Sequence, residues 1–245
     1  MDHITIQLAD YLVQRLQSTS PHDRLLVGVS GVPASGKSTL AQGIVDHVNS
    51  RLALTSPGRE GHEAAVLVAL DGWHLTRAQL DKFPDPKLAH DRRGAHWTFD
   101  GDSYVAFVRA LRCSTAPGAT SDGKTGVIYA PSFSHAIKDP TPDAVPIHPY
   151  HRLVLIEGLY SFLGITPWRE AAELLNERWF LNVGEEEAER RLIARHVQSG
   201  VAKDLEEAIW RSRENDVPNG QFIRENMLNP TRVIDSVEDP VLKAS

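Results

Sequence analysis

Short apolar runs alternate with amphipathic segments along most of the chain. Residues 25–30, 64–70, 153–156 and 179–183 form runs that predict strands buried on both faces, and 233–234 predicts a last short strand. Apolar positions at helical spacing predict helices over 4–16, over the residues after Ser38, and over 104–111, 185–198 and 204–214. Strands that alternate with helices in this way predict an α/β fold with a mainly parallel sheet covered on both faces.

Polar and proline-rich stretches separate these elements. Residues 55–63 predict a surface loop, 81–101 an irregular or partly helical segment, and 114–126 an exposed loop or short hairpin. A short strand is predicted over 127–129, followed by proline-rich loops up to Pro149. Because no repeat, low-complexity tract or clear linker divides the sequence, we expect a single domain over residues 1–245.

A glycine-rich motif lies between the strand at 25–30 and the helix after it. Residues 31–38, Gly-Val-Pro-Ala-Ser-Gly-Lys-Ser, fit the pattern G-x-x-x-x-G-K-[ST]. The glycines let backbone N–H groups turn inward around phosphate oxygens, and the helix N-terminus adds partial positive charge. Lys37 is expected to reach the outer phosphates and Ser38 to ligate Mg²⁺. The alternative is a chance glycine turn before a helix.

Two acidic residues follow the next buried runs, Asp71 after 64–70 and Glu157 after 153–156. Ligands of open parallel sheets bind beyond the carboxyl ends of the strands, so both acids are expected to meet the glycine-rich loop. Asp71 is suited to accept a hydroxyl proton, and Glu157 to hold Mg²⁺ directly or through water. The alternatives are a helix-capping or turn-forming role for Asp71 and a structural, backbone-bonded carboxylate for Glu157.

The predicted helix over 185–198 has acids in its first turn and carries Arg191 and Arg195, which are four residues apart and share a face. Such a pair on a mobile helix can close over phosphates and neutralise developing charge. The alternative is a solvated helix whose arginines only form salt bridges.

Composition narrows the classes of partner and compartment. The 41% of hydrophobic residues is ample for a buried core. The net charge of −6 argues against nucleic acid or an anionic membrane as the main partner. A single cysteine excludes an intramolecular disulfide and is typical of a reducing compartment. The sequence shows no secretory signal and no apolar run of the roughly 20 residues that a membrane-spanning helix needs. We therefore expect a cytoplasmic protein, monomeric or homodimeric.

The motifs in this order resemble the phosphoribulokinase/uridine kinase family of P-loop kinases, which also includes the bacterial type of pantothenate kinase. The resemblance covers residues 25–233 and is carried by the glycine-rich loop, Asp71-Gly72-Trp73-His74, Ile156-Glu157-Gly158-Leu159-Tyr160 and the arginine-bearing helix. Residues 92–100, 195–197 and 215–220 are similar to a branch described as nucleoside/nucleotide kinase-like, with bacterial fructose-transport kinases and a fungal ATPase-like member.

The resemblance implies a P-loop NTPase fold of three layers, α/β/α, with a helical lid, and ATP and Mg²⁺ as cofactors. It also implies an acceptor-binding segment at about 72–100, a loop or hairpin insert at about 112–150 and a lid at about 185–203. The implied catalytic residues are Asp71, Lys37, Arg191 and Arg195; ATP would contact Gly31, Ala34, Ser35, Gly36, Lys37, Ser38, Thr39 and, near the adenine, Asn219. The metal would be held by Ser38 and Glu157, and the acceptor by His74, Arg93, Trp97, His135 and Tyr160.

The residues alone leave the acceptor pocket open. Arg92 and Arg93 are suited to bind an acidic acceptor bidentately, or to pair with Asp91 and Asp100. Trp97 either stacks on a ring or fills core space, and a lone histidine such as His135 is more often structural. His74 and His96 have no His or Cys at the spacing of a zinc site.

Two functions follow from these observations. The first is an ATP-dependent phosphotransferase acting on a hydroxyl of a small metabolite, such as a nucleoside, a sugar or a pantothenate-like alcohol. The second is a regulatory P-loop ATPase or nucleotide-dependent binding protein that phosphorylates no small molecule. A GTPase is disfavoured because the sequence has no Asn-Lys-x-Asp stretch to recognise guanine.

Overall fold

The computed structural model describes residues 2–55, 62–113, 126–134 and 137–236. Its strands are β1 (Leu25–Gly31), β2 (Ala65–Ala69), β3 (Ile128–Ser134), β4 (Asp139–Ile147), β5 (Leu153–Glu157), β6 (Glu177–Asn182) and β7 (Arg232–Asp235). Its α-helices are α1 (Asp2–Ser18), α2 (Lys37–Thr55), α3 (Arg77–Leu80), α4 (Pro86–Asp91), α5 (Gly101–Leu111), α6 (Trp168–Leu174), α7 (Glu185–Gln198), α8 (Leu205–Arg211) and α9 (Val217–Asn226). The predicted buried strands and the helix over 185–198 are therefore confirmed to within about two residues.

Five strands form a parallel sheet in the order β2-β5-β1-β6-β7. Side chains of β1 alternate between two apolar clusters: Leu26 packs toward α5 and α6, whereas Leu25 and Val27 pack toward α1 and α2. Helices thus cover both faces of the sheet, and the three-layer α/β/α prediction is confirmed. In this arrangement β1 lies at the centre and delivers the glycine-rich loop to the middle of the carboxyl edge.

Strands β3 and β4 form a separate antiparallel hairpin. The prediction of proline-rich loops from residue 130 to Pro149 was wrong for residues 130–134, which belong to β3, and for residues 139–147, which are β4. Pro140, Pro142 and Pro146 lack an N–H donor, but a two-stranded hairpin leaves each strand with an open edge on which no donor is needed. The hairpin packs beside the turn that follows β2, so it lies next to Asp71.

The segment after α7 also differs from the prediction. The helix predicted over 204–214 is α8, which ends at Arg211 and continues through a π-helical turn at Ser212–Asp216 into α9. Its predicted capping signature is confirmed, because Asp204 accepts a hydrogen bond from the Glu207 N–H at 2.8 Å. Helices α6 and α9 were not predicted, and Pro218 in the first turn of α9 obscures its helical pattern.

Among the helices of the described residues, none has the length and apolar character required to cross a lipid bilayer.

Candidate active site

The glycine-rich loop joins the end of β1 to the start of α2. Gly36 has a φ of 91°, which glycine adopts without strain, and Ala34 holds a φ of 59°. A Cβ on Gly31 would lie 2.6 Å from Ser35 Oγ and 2.7 Å from the Leu181 carbonyl oxygen, so a larger residue does not fit there. The Oγ of Ser35 is buried without a hydrogen-bond partner in the described residues. This curvature and the unsatisfied polar atom are typical of a loop that binds an anion.

Lys37 and Ser38 start α2 and meet Glu157 at the end of β5. Ser38 Oγ donates a hydrogen bond of 3.2 Å to Glu157 Oε2. The strand register explains the meeting, because Glu157 lies opposite Val29 of β1 on one side and Ala69 of β2 on the other. The glycine-rich loop and Glu157 therefore lie at the ends of adjacent strands, as the sequence predicts.

Asp71 lies two residues after β2, in a 3₁₀ turn over Leu70–Trp73. Its backbone carbonyl oxygen is 2.8 Å from His74 Nδ1, so the turn is stabilised through the main chain. Its carboxylate is 43% exposed, and Oδ1 lies 3.9 Å from the same histidine nitrogen. The carboxylate is consequently accessible to a ligand, because the turn is stabilised by the backbone carbonyl oxygen of Asp71.

Burial and neighbouring charges shift the pKa values of Lys37 and Glu157. Loss of hydration lowers the pKa of Lys37, and the negative charges of Glu157 and Asp71 oppose that decrease. Burial raises the pKa of Glu157, and the charge of Asp71 raises it further, whereas Lys37 and the bond from Ser38 act in the opposite direction. The three groups therefore form one electrostatic cluster at the carboxyl edge of the sheet.

The raised pKa of Glu157 predicts a pH-dependent stability. A carboxyl with a raised pKa binds more protons in the folded than in the unfolded protein, so the folded state loses stability as pH rises from the ordinary value of 4.5. We expect the free energy of unfolding of nucleotide-free Glu157→Gln, relative to wild type, to increase with pH. Urea unfolding between about pH 4 and about pH 8 measures this difference.

The exposed Glu173 on α6, which pairs with Arg169, provides the matched control for that experiment. The Glu173→Gln variant should show no comparable increase in relative stability with pH. A Glu157→Gln difference that is constant with pH would contradict the inferred burial effect.

A third acid, Asp216, reaches the site from the π-helical turn and was not predicted. Its Oδ2 lies 2.9 Å from His196 Nε2 of α7, and its charge acts on both Lys37 and Tyr160. It lines a cavity of about 230 Å³ between α7, α9 and the tip of the glycine-rich loop at Val32. Such turns are frequent at functional sites. In the sequence, residues 215–220 are similar to the nucleoside/nucleotide kinase-like branch, but this similarity indicated no role for Asp216.

The two predicted lid arginines have different surroundings. Arg191 Nε donates to Glu187 Oε1 at 2.5 Å and Nη1 donates to Ser236 Oγ at 3.1 Å. The same serine donates to the Ser35 carbonyl oxygen, so Arg191 is linked to the glycine-rich loop through Ser236. Arg195 is exposed and its positive charge lowers the pKa of Lys37. Of these two arginines, Arg195 is the one whose charge acts on Lys37.

His74 and Tyr160 lie among aromatic side chains near Asp71. The Tyr160 hydroxyl is buried, which raises its pKa, and it donates to the Gly94 carbonyl oxygen at 2.8 Å. The ring of His74 packs on Phe99 with a centroid distance of 3.9 Å, whereas Trp97 lies against Phe83 at 5.7 Å. His74 and Tyr160 are therefore brought toward Asp71, and the contact of Trp97 is with another side chain.

Other predicted residues fall elsewhere. Arg93 binds the hairpin and the segment after β2, through Lys138, Leu75 and Asp139. Asn219 Nδ2 donates to Asn215 Oδ1 at 3.2 Å beside Gly94, and its predicted adenine contact stays a prediction. Thr39 lies on the exposed face of α2. His135 is outside the described residues, as is most of the predicted loop over 114–126.

The chain is similar to known kinases over most of its length. No family model matches it. A candidate uridine kinase of Schizosaccharomyces pombe, C227.14, is 35% identical over 237 residues, which are 96% of this chain and 94% of that protein. The ATP-dependent kinase-like protein notR′ of Aspergillus versicolor is 44% identical over 159 residues, or 65% of this chain and 89% of its own length.

A solved structure has the same fold. The crystal structure of YFH7 from Saccharomyces cerevisiae, described as a candidate P-loop kinase with a circular permutation, superimposes with a TM-score of 0.80. The two share 24% sequence identity, and the match covers 96% of this chain and 99% of that one.

Proposed function

Since the chain belongs to the uridine kinase-like family of P-loop kinases, we propose that it transfers the γ-phosphate of ATP to a hydroxyl group of a small metabolite. One observation carries the proposal: Lys37, Ser38 and Glu157 meet at the strand ends beside an open Asp71 carboxylate. A regulatory ATPase has no need of a pocket that binds an acceptor alcohol beside that carboxylate. The combination instead matches the requirements of phosphoryl transfer to an alcohol.

The residues present fit a magnesium–nucleotide complex. Gly31 and Ser35 form a tight cradle with a buried, unsatisfied hydroxyl oxygen, and Ser38 and Glu157 offer the oxygen ligands that Mg²⁺ prefers. The described ranges contain no cluster of three or more His, Cys, Asp or Glu side chains that could hold a metal without phosphate. Ser38 and Glu157 would therefore hold Mg²⁺ together with phosphate oxygens, and the ion would neutralise phosphate charge.

In the proposed reaction the acceptor oxygen attacks the γ-phosphorus, and the bond from that phosphorus to the β-bridging oxygen breaks. Asp71 accepts the hydroxyl proton as the new O–P bond forms, which leaves ADP and a phosphorylated acceptor. Lys37 and Arg195 stabilise the negative charge on the transferring group and the leaving phosphate. Residues 72–100 would bind the acceptor and residues 185–203 would act as the lid within a single domain.

A panel of small alcohols tests this function. Purified protein is incubated with ATP and MgCl₂, and ADP formation is measured without acceptor and with each nucleoside, sugar or hydroxy acid. We expect one chemical class to raise ADP formation steeply, with ³¹P NMR showing a phosphate monoester on the alcohol. ADP formation that is unchanged by every acceptor and yields only inorganic phosphate would favour the regulatory ATPase.

A further inference from the structure

Two adjacent arginines, Arg92 and Arg93, follow α4 and differ in what holds them. The Arg93 guanidinium is engaged by the hairpin: Nη1 donates to the Lys138 carbonyl oxygen at 2.5 Å, and Nη2 lies 3.2 Å from Asp139 Oδ1. Nη2 also donates to the Leu75 carbonyl oxygen at 2.8 Å. These bonds fix Arg93 as a tie between the acceptor segment and the hairpin.

Arg92 has no such partner. Its Nε is buried without a hydrogen bond, and its guanidinium forms no hydrogen bond or ion pair within the part of the chain that the structure describes. The two acids considered from the sequence as ion-pair partners of these arginines bind other groups. Asp91 pairs with Lys87, and Asp100 binds the backbone N–H and the hydroxyl of Ser103. A partly buried guanidinium without an acceptor is unfavourable unless a ligand supplies one.

The backbone around Arg92 is anchored to the active site from two sides. Tyr160 donates to the Gly94 carbonyl oxygen at 2.8 Å, and Asn215 Nδ2 donates to the Arg93 carbonyl oxygen at 3.1 Å. The Tyr160 hydroxyl lies within the electrostatic range of Arg92, Asp71 and Asp216 together. We therefore assign Arg92 to the same side of the site as Tyr160.

We propose that the phosphate acceptor carries an anionic group in addition to its hydroxyl, and that Arg92 binds this group while the hydroxyl meets Asp71. This inference rests on the proposed kinase function and narrows its substrate class to hydroxy acids or phosphorylated alcohols. Guanidinium binds carboxylate and phosphate oxygens through two parallel hydrogen bonds, and the anion also satisfies the buried Nε. The nearby acids disfavour an anion at Asp71 itself, so the two ends of the acceptor are oriented in opposite directions.

Matched acceptor pairs that differ only by the anionic group test the proposal. Suitable pairs are glycerate and glycerol, pantothenate and pantothenol, and ribose 5-phosphate and ribose, the first two for carboxylate and the third for phosphate. For the accepted pair, we expect kcat/KM to be about tenfold to a hundredfold higher for the anionic member. Arg92→Gln should reduce that ratio to near one with little change for the neutral member, and Arg92→Lys should retain part of it.

Arg109→Gln is the matched control, because Arg109 is a 62% exposed cation on α5 that pairs with Glu170. It should leave the ratio unchanged. A thermal-shift measurement with a non-hydrolysable ATP analogue runs in parallel: the anionic members should raise Tm in wild type but not in Arg92→Gln, which would support the inference even where turnover is slow.

The outcomes separate the inference from the function on which it rests. If the neutral members are phosphorylated as well as the anionic ones, the kinase function stands and the role of Arg92 is overturned. If anionic members neither react nor raise Tm in wild type, the role of Arg92 is overturned as well. If no alcohol of either kind is phosphorylated while anions bind through Arg92, the kinase proposal fails and the anion site stands.

Discussion

Replacing Lys37 by alanine is expected to lower kcat for phosphoryl transfer by about a thousandfold, to the limit of detection. Lys37 is partly buried and lies among Glu157, Asp71 and Asp216, so its ammonium is held where phosphate charge would develop. Without it, the acids at the strand ends would face the phosphates with one cation fewer between them. Loss of this lysine therefore removes its attraction for the phosphates and strengthens the repulsion between the phosphates and the acids.

Initial rates of ADP formation measure kcat, and fluorescence titration with an ATP analogue measures nucleotide affinity. Arg51→Gln is a control at the far end of α2, where Arg51 pairs with Asp10, and should leave both quantities unchanged. A folded Lys37→Ala variant with undiminished turnover would remove the glycine-rich loop from the mechanism.

Asp71→Asn is expected to lower kcat by about a hundredfold to ten-thousandfold, the range for loss of a general base, while ATP still binds. The substitution keeps the size and the polar character of the side chain but removes its ability to accept a proton. The 3₁₀ turn is stabilised through the backbone carbonyl of Asp71, which the substitution leaves in place. We therefore expect the fold and the nucleotide site to be preserved.

Asp46→Asn supplies the comparison, because Asp46 is an exposed acid on α2 whose carboxylate accepts a hydrogen bond from Gln42. It should retain full kcat. A collapse of ATP affinity in Asp71→Asn, with kcat little changed, would instead mean that Asp71 acts through the metal or the structure.

The parts of the fold and site that follow from short-range patterns could be predicted from the sequence. The glycine-rich loop is contiguous, and Asp71 and Glu157 each end an apolar run, so the geometry of parallel strands alone brings them together. Each of these inferences needed only residues within one strand and its turn.

What could not be predicted depends on partners distant in sequence. Asp216 reaches the site because a π-helical turn rotates it toward His196, 20 residues earlier. Arg92 and Arg93 are identical in type, and which of them is left for a ligand is decided by Asp139, 46 residues beyond Arg93. The strand β4 was hidden by prolines that are acceptable only because its outer edge is open.

The pairing of Glu157 with Val29 on one side and Ala69 on the other has a wider consequence. Neighbouring strands are held about 4.8 Å apart, so the pairing of β1, β5 and β2 sets the spacing between the glycine-rich loop, Glu157 and Asp71. A slip of β5 by one residue would turn the Glu157 carboxylate to the opposite face of the sheet and separate it from Ser38. The hairpin and α4, which we propose to border the acceptor, lie outside this sheet, so their residues can change without altering the strand register.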